Sequence, residues 1–343
     1  MSKKVGVLVV DDSPIGQAVI CRALEADPDL EVLGVCGDGQ EALEKTRALR
    51  PNVITMDVEM PRMDGLSAVQ AIMAEVPTPI LVITGDPKHQ TPETVCRALE
   101  LGALGLQMKP ALESDYDAAH LAREVKLLAH VAVIRHIRPR HRLRPDTAPT
   151  DARIRRAEVI AIGSSTGGPQ VIHRLLKELP RDFPVPLALV QHINPSFTES
   201  LAAWLNNASQ LEVRLAREGD RLQPGLVLLA PALHHMWIET GGRVTLKAGE
   251  PRDGHIPSVS ALLESAGRAF GTGAVGGVLT GMGSDGAEGL SVLKRCGGRT
   301  FAQSRESSVV FGMPGSAIAT GGVDEVVHAE DLTALVMRIA GRS

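Results

Sequence analysis

The residues of this sequence with the types and spacing to do chemistry fall in two groups, one in each half of the chain. In the second half, Gly163 to Gly167 fits G-x-S-x-G with Ser165 at its centre. The aliphatic run Val159 to Ile162 precedes it and a helical pattern begins at Pro169, which reads as strand, tight turn, helix. Small flanking residues let a serine sit in a strained turn with its hydroxyl exposed, and amides at the start of the next helix can face an oxyanion. A phosphate-binding loop or a plain tight connection would look similar. The lysine of a P-loop is missing, since Gly168 leads into Pro169 and Gln170, and G-x-G-x-x-G does not occur here.

A serine hydroxyl is a weak nucleophile near neutral pH and needs a base, and the base needs an orienting carboxylate. The strand expected at Leu187 to Val190 ends in Gln191-His192, and the one at Ala274 to Leu279 leads into a glycine-rich loop carrying Asp285. Ser165, His192 and Asp285 therefore each follow a strand end, and in a parallel sheet those ends share one edge. Their order, Ser, His, Asp, differs from the Ser, Asp, His order of α/β-hydrolases. His234, His235 and His255 compete as bases. As a metal set they lack H-E-x-x-H or other known ligand spacing.

The first half offers carboxylates. Asp11 and Asp12 end the apolar strand Val5 to Val10, Asp57 ends Val53 to Met56, Thr84 ends Ile80 to Ile83, and Lys109 ends Leu104 to Met108. Any one acidic residue there could be a helix N-cap, but that role explains five polar residues at successive strand ends poorly. Three carboxylates forced together repel, which favours a hard divalent cation such as Mg²⁺. One of them can then attack a phosphoryl group, with Thr84 hydrogen-bonding a phosphoryl oxygen and Lys109 pairing with its charge.

The elements that position these groups alternate strand and helix through both halves, the pattern of doubly wound parallel α/β sheets. At 343 residues the chain has room for two such domains. The boundaries read as 1–125, a basic and proline-containing linker over 126–156, and 157–343. The linker reads more readily as a solvated spacer than as a binder of anionic surface. A net charge of −4 and an aromatic content of 2% argue against nucleic-acid binding. The four cysteines form no C-x-x-C pair, so a reducing, cytoplasmic setting fits. The apolar run after Lys4 stops at Asp11, too short for a signal peptide.

Met56 to Leu66, reading MDVEMPRMDGL, together with Lys109-Pro110, resembles a two-component receiver domain of the flavodoxin-like fold. That resemblance implies Asp57 as phosphoacceptor, Asp11, Asp12 and Asp57 at a Mg²⁺ site, and Thr84 and Lys109 as phosphoryl sensors. Leu106 stands where receivers usually carry an aromatic residue.

The second half is similar to the catalytic domain of the chemotaxis response-regulator protein-glutamate methylesterases. The likeness rests on IAIGSSTGG, QHINPSFT, HIPSV, LTGMGSDG and VVFGMPGSAI; PALHHMW at Pro231 to Trp237 and Ser260 after HIPSV depart from it. It implies an α/β esterase without a cofactor, with Ser165, His192 and Asp285 catalytic. The backbone amides of Thr166 and Met282 are expected to hold the oxyanion. It further implies glutamate methyl esters of methyl-accepting chemoreceptors as substrates, glutamine deamidation, a chemotaxis histidine kinase as phosphodonor, and membrane proximity only through receptors. A receiver-gated hydrolase of another ester, a non-catalytic adaptor and a DNA-binding regulator are the competing readings. No basic helix-turn-helix pattern supports the last.

Overall fold

The computed structural model describes residues 4–85, 92–110, 115–131 and 156–341. The first sheet is built from β1 (Val5–Val10), β2 (Leu30–Cys36), β3 (Val53–Met56), β4 (Ile80–Thr84) and β5 (Gly105–Met108). Its helices are α1 (Pro14–Glu25), α2 (Gly39–Leu49), α3 (Gly65–Glu75), α4 (Pro92–Glu100) and α5 (Asp115–Leu128). All pairings are parallel, in the order β2-β1-β3-β4-β5. The central strands β1, β3 and β4 are buried on both faces, as βαβ crossovers require, while the edge strands β2 and β5 are only partly covered. Ser13 caps α1 by accepting from the Gly16 amide, with Pro14 at the first helical position.

The strands of the second half are, in chain order, β6 (Val159–Ser164), β7 (Leu187–Gln191), β8 (Glu212–Leu215), β9 (Leu226–Leu229), β10 (His235–Glu239), β11 (Arg243–Lys247), β12 (Ala274–Val278), β13 (Arg299–Gln303) and β14 (Glu325–Val327). Seven of them form one parallel sheet in the order β14-β13-β12-β6-β7-β9-β8. The helices are α6 (Gly168–Glu178), α7 (Thr198–Ala208), α8 (Val259–Phe270), α9 (Ala287–Arg295), α10 (Met313–Ala319) and α11 (Leu332–Ile339). β10 and β11 stand apart as an antiparallel hairpin. Its buried Met236, Ile238 and Val244 share a core with Leu262 and Ala266 of α8.

β6 shows why the sheet is sandwiched. Ile160 and Ile162 pack among side chains of α6 and α7, while Val159 and Ala161 pack among those of α8 and α9. The larger of these side chains, Val159, Ile160 and Ile162, each contribute about 1.5–3 kcal/mol by burial.

Residues 132–155, most of the expected linker, lie outside the described residues. α5 runs through Leu128, so the start of the stretch expected as linker is helical. The two sheets meet through α4. Cys96 and Leu99 share a core with Leu201 and Leu205 of α7. The Trp204 indole donates to Glu100 Oε1 at 2.7 Å, and Gln170 of α6 donates to the Ala103 carbonyl at 2.6 Å. Leu106, in place of the aromatic residue usual in receivers, packs against the receiver core and against the cluster that Cys96 and Leu99 share with the second domain.

One close approach fixes the site described below. A Cβ placed on Gly163 would lie 2.0 Å from Val259 Cγ1, so only glycine lets the start of α8 lie against the end of β6. Gly163→Ala should destabilise the protein by roughly 1–3 kcal/mol through overpacking. A lowered denaturant midpoint at unchanged slope is the expected reading.

Candidate active site

Ser165, His192 and Asp285 leave the sheet from β6, β7 and β12, three strands adjacent in the order β12-β6-β7. The register pairs Ser164 with Gln191, so the next residues, Ser165 and His192, depart side by side at about the 4.8 Å strand spacing. Gln191 then ties the two loops together. Its amide group donates to the Ser165 carbonyl at 2.8 Å and to the His192 carbonyl at 2.9 Å, while its Oε1 accepts from Ser164 Oγ at 2.6 Å. On the other side the Ser165 amide donates to the Thr280 carbonyl at 3.0 Å, and Thr280 Oγ1 donates to the Thr166 carbonyl at 2.9 Å.

Asp285 is 1% exposed and sits at the N-terminus of α8. Its Oδ1 accepts from Ser258 Oγ at 3.0 Å and the Ser260 amide at 2.8 Å; its Oδ2 accepts from the Val259 amide at 2.7 Å. His192 Nε2 lies 3.0 Å from the same Oδ2. Burial pushes the Asp285 carboxyl up, but the His192 imidazole and these amides outweigh it and hold the group at about 2. The carboxylate is therefore charged and fixed, as a partner for a histidine that must accept a proton.

Nδ1 of His192 is buried and has no hydrogen-bond partner. Nε2 is engaged by Asp285, so Nδ1 is the nitrogen left to take a proton in this ring orientation, and the bond from the Ser165 hydroxyl is not made in this arrangement. Ser165 itself is half-buried. The Thr166 and Met282 amides lie in the loops that leave β6 and β12, on the edge where Ser165 emerges.

The competing histidines are placed differently. His235 is structural: Nε2 meets the Glu250 carbonyl at 3.1 Å and Nδ1 accepts from the Ser258 amide at 3.1 Å. The His234 ring meets the Ala232 carbonyl at 3.1 Å. His255 stacks on His192, with ring centroids 3.9 Å apart and planes 10° from parallel. No metal cluster of histidines occurs among the described residues. Sequence reasoning missed Gln191, Ser258 and Thr280 as anchors, although each lies inside a stretch it had singled out.

In the first domain, Asp11, Asp12 and Asp57 bring one carboxylate oxygen each within 4.8 Å of the others. Lys109 Nζ lies 2.7 Å from Asp57 Oδ2 and 2.7 Å from Asp11 Oδ2, and Asp57 Oδ1 accepts from the Val58 amide at 2.8 Å. Burial pushes the Asp57 carboxyl up. Burial pulls the Lys109 ammonium down, but its pairing with Asp11 and Asp57 outweighs this and leaves it raised. Three carboxylates against one ammonium leave surplus negative charge on hard oxygen donors, a set that fits Mg²⁺. Thr84 Oγ1 is buried with no partner, and the Lys109 amide donates to the Thr84 carbonyl at 2.8 Å.

Comparison with known proteins adds independent findings. The family described as CheB methylesterase matches residues 160–336, and the response regulator receiver domain matches residues 7–119. A protein-glutamate methylesterase/protein-glutamine glutaminase of Syntrophus aciditrophicus is 41% identical over 98% of this chain and 98% of its own length. One from Anaeromyxobacter dehalogenans is 46% identical over 96% of this chain and 95% of its own. The crystal structure of the Thermotoga maritima CheB methylesterase catalytic domain superposes with a TM-score of 0.52 at 35% identity. It covers 53% of this chain and 98% of that one.

The depressed Asp285 carboxyl stabilises the fold above the ordinary carboxylate range, and that stability is lost as pH falls towards about 2. Asp285→Asn should cost roughly 2 kcal/mol near neutral pH. The deficit should shrink between about pH 4 and pH 2, read from denaturant midpoints across that range.

Proposed function

The chain belongs to the CheB methylesterase family, with a response regulator receiver domain ahead of the catalytic domain, and on that premise we propose the chemistry of its two sites. The activity is hydrolysis of protein glutamate methyl esters to glutamate and methanol, with deamidation of protein glutamines alongside it. The observation that carries the assignment of residues is the His192–Asp285 pair, 3.0 Å apart, on the strand edge from which Ser165 also emerges.

Ser165 Oγ attacks the ester carbonyl while His192 takes its proton at Nδ1. Asp285, bonded to Nε2, stabilises the imidazolium. The Thr166 and Met282 amides hold the oxyanion, each such donor being worth about 3 kcal/mol at the transition state. Collapse of the tetrahedral intermediate passes the proton from His192 to the departing methoxide. Water, deprotonated by the same imidazole, then releases glutamate and restores the Ser165 hydroxyl. With a glutamine substrate the leaving group is ammonia.

In the receiver, Asp57 accepts the phosphoryl group from a chemotaxis histidine kinase. Asp11, Asp12 and Asp57 would hold Mg²⁺, which when bound neutralises charge on the phosphoryl oxygens. Thr84 Oγ1, lacking a partner, meets one of those oxygens, and Lys109 exchanges its pairing with the Asp57 carboxylate for the phosphoryl group.

The unphosphorylated receiver rides on α6 and α7 through Cys96, Leu99 and Glu100 of α4. α6 is the helix that follows the serine loop. Phosphorylation shifts the population towards an arrangement in which this contact is released and the site admits substrate. The substrates are glutamyl side chains of methyl-accepting chemoreceptors, reached from the cytoplasm. No helix among the described residues is long and apolar enough to cross a membrane.

Methanol release from methylated receptor membranes, with and without a small phosphodonor, tests this reading. Ser165→Ala should lower release by on the order of 10³-fold or more, and Asp57→Asn should abolish stimulation by the phosphodonor. Removing two contacts across the interface with Glu100→Ala and Gln170→Ala should raise unstimulated release several-fold. No release from well-folded wild-type protein in either condition would overturn the assignment.

A further inference from the structure

Beside the catalytic pair lies a turn that the reaction steps above do not use. Arg252 and His255 exchange two backbone hydrogen bonds, Arg252 N to His255 O at 3.2 Å and His255 N to Arg252 O at 3.0 Å. The residues between them, Asp253 at φ 52° and Gly254 at φ 80°, both lie in the left-handed region, as a two-residue type I′ turn requires. Arg252 fastens one side, 2.7 Å from Glu264 of α8 and 3.5 Å from Glu288 of α9.

Ser260 fastens the other side, and it is fully buried. Its hydroxyl donates to Asp253 Oδ2 at 3.3 Å and accepts from the Gly286 amide at 2.8 Å, while its own amide donates to Asp285 Oδ1 at 2.8 Å. One residue thus joins the turn that carries His255 to the Asp285 carboxylate and to the backbone of the next residue.

We infer that the Arg252–His255 turn, anchored through Ser260, is a positioning strap that presses the His255 ring against the face of His192 and so fixes the plane of the general base. The inference rests on the proposed role of His192. A hydrogen bond to Asp285 holds one edge of the imidazole but leaves the ring free to tilt about that contact. The parallel ring of His255, 3.9 Å away, removes the tilt. Such a brace works only while it is uncharged, because His192 becomes an imidazolium during turnover. Burial and the neighbouring His192 hold the His255 imidazole down at about 4, with Arg123 of α5 acting in the same direction and Asp285 and Asp253 opposing.

Ser260 suits its position because it is neutral. A carboxylate there would lie beside those of Asp253 and Asp285, and like charges at such range repel. Ser260, Asp253 and His255 are therefore positioning residues that act through His192 and Asp285.

The test uses the full-length protein with its histidines labelled by ¹⁵N, comparing wild type with Ser260→Ala, Ser260→Thr, Asp253→Ala and His255→Ala. The His192 ring signals are assigned by difference from a His192→Asn variant. Ser260→Ala, Asp253→Ala and His255→Ala should each shift the His192 titration midpoint and move the acid limb of the kcat–pH profile with it. Each should lower kcat about 10-fold, the scale expected of a misplaced catalytic group, with KM within twofold. Ser260→Thr, which keeps the hydroxyl, should restore the wild-type titration.

An unmoved His192 titration in Ser260→Ala and His255→Ala would overturn the strap, whether or not kcat falls. The titration is read without substrate, so absent methanol release in the wild type would count against the esterase reading alone.

Discussion

The catalytic half of this protein depends on one buried negative charge. The Asp285 carboxylate is withdrawn from water at the start of α8, a location that would be costly without compensation. Two backbone amides, the Ser258 hydroxyl and the His192 ring surround it. Those amides are among the ones that every α-helix leaves unpaired in its first turn, so the carboxylate satisfies the helix and the helix stabilises the carboxylate. The same charge fixes the edge of the imidazole. The close contact of α8 with β6 at Gly163, the cap at Ser258 and the fastening at Ser260 all serve to keep that helix end where the charge needs it.

Both domains use the same topological device for different chemistry. In the receiver, β1 has β2 on one side and β3 on the other; in the esterase, β6 has β7 and β12. At such reversals the loops beyond the strand ends diverge and open a crevice. The receiver fills its crevice with three carboxylates and a lysine, the esterase with serine, histidine and aspartate. Where the two domains touch, α4 of the receiver lies on α6 and α7, and Leu106 packs against the receiver core and against the cluster that Cys96 and Leu99 share with the esterase. α4 thus bears on the helix that follows the serine loop.

Much of this was legible in the sequence because parallel strands carry an unmistakable signature. Runs such as Val5 to Val10 and Leu187 to Val190 are continuously apolar since both faces are covered, and each ends abruptly at a polar residue. Strands lacking that signature went unread. β8 mixes Glu212 and Arg214 with its apolar residues, and β14 is a three-residue edge strand with two exposed positions. β10 pairs antiparallel with β11 outside the main sheet, and its own residues do not announce that partner. Pairing direction is set by partners far along the chain, which local pattern does not report.

The sequence by itself determined the two α/β domains, the residues at each strand end and the family they resemble, because residue type and period are local properties. Only the tertiary structure decided which ends adjoin, that Nε2 rather than Nδ1 of His192 meets Asp285, and that His255 stacks on that ring while His235 serves the backbone. It also decided that α4 of the receiver packs on α6 and α7 of the esterase, while Val309 of the esterase packs against the core that α5 shares. These outcomes depend on strand order, register and the angle at which helices cross the sheet, and those follow from packing of the whole chain rather than from any stretch within it.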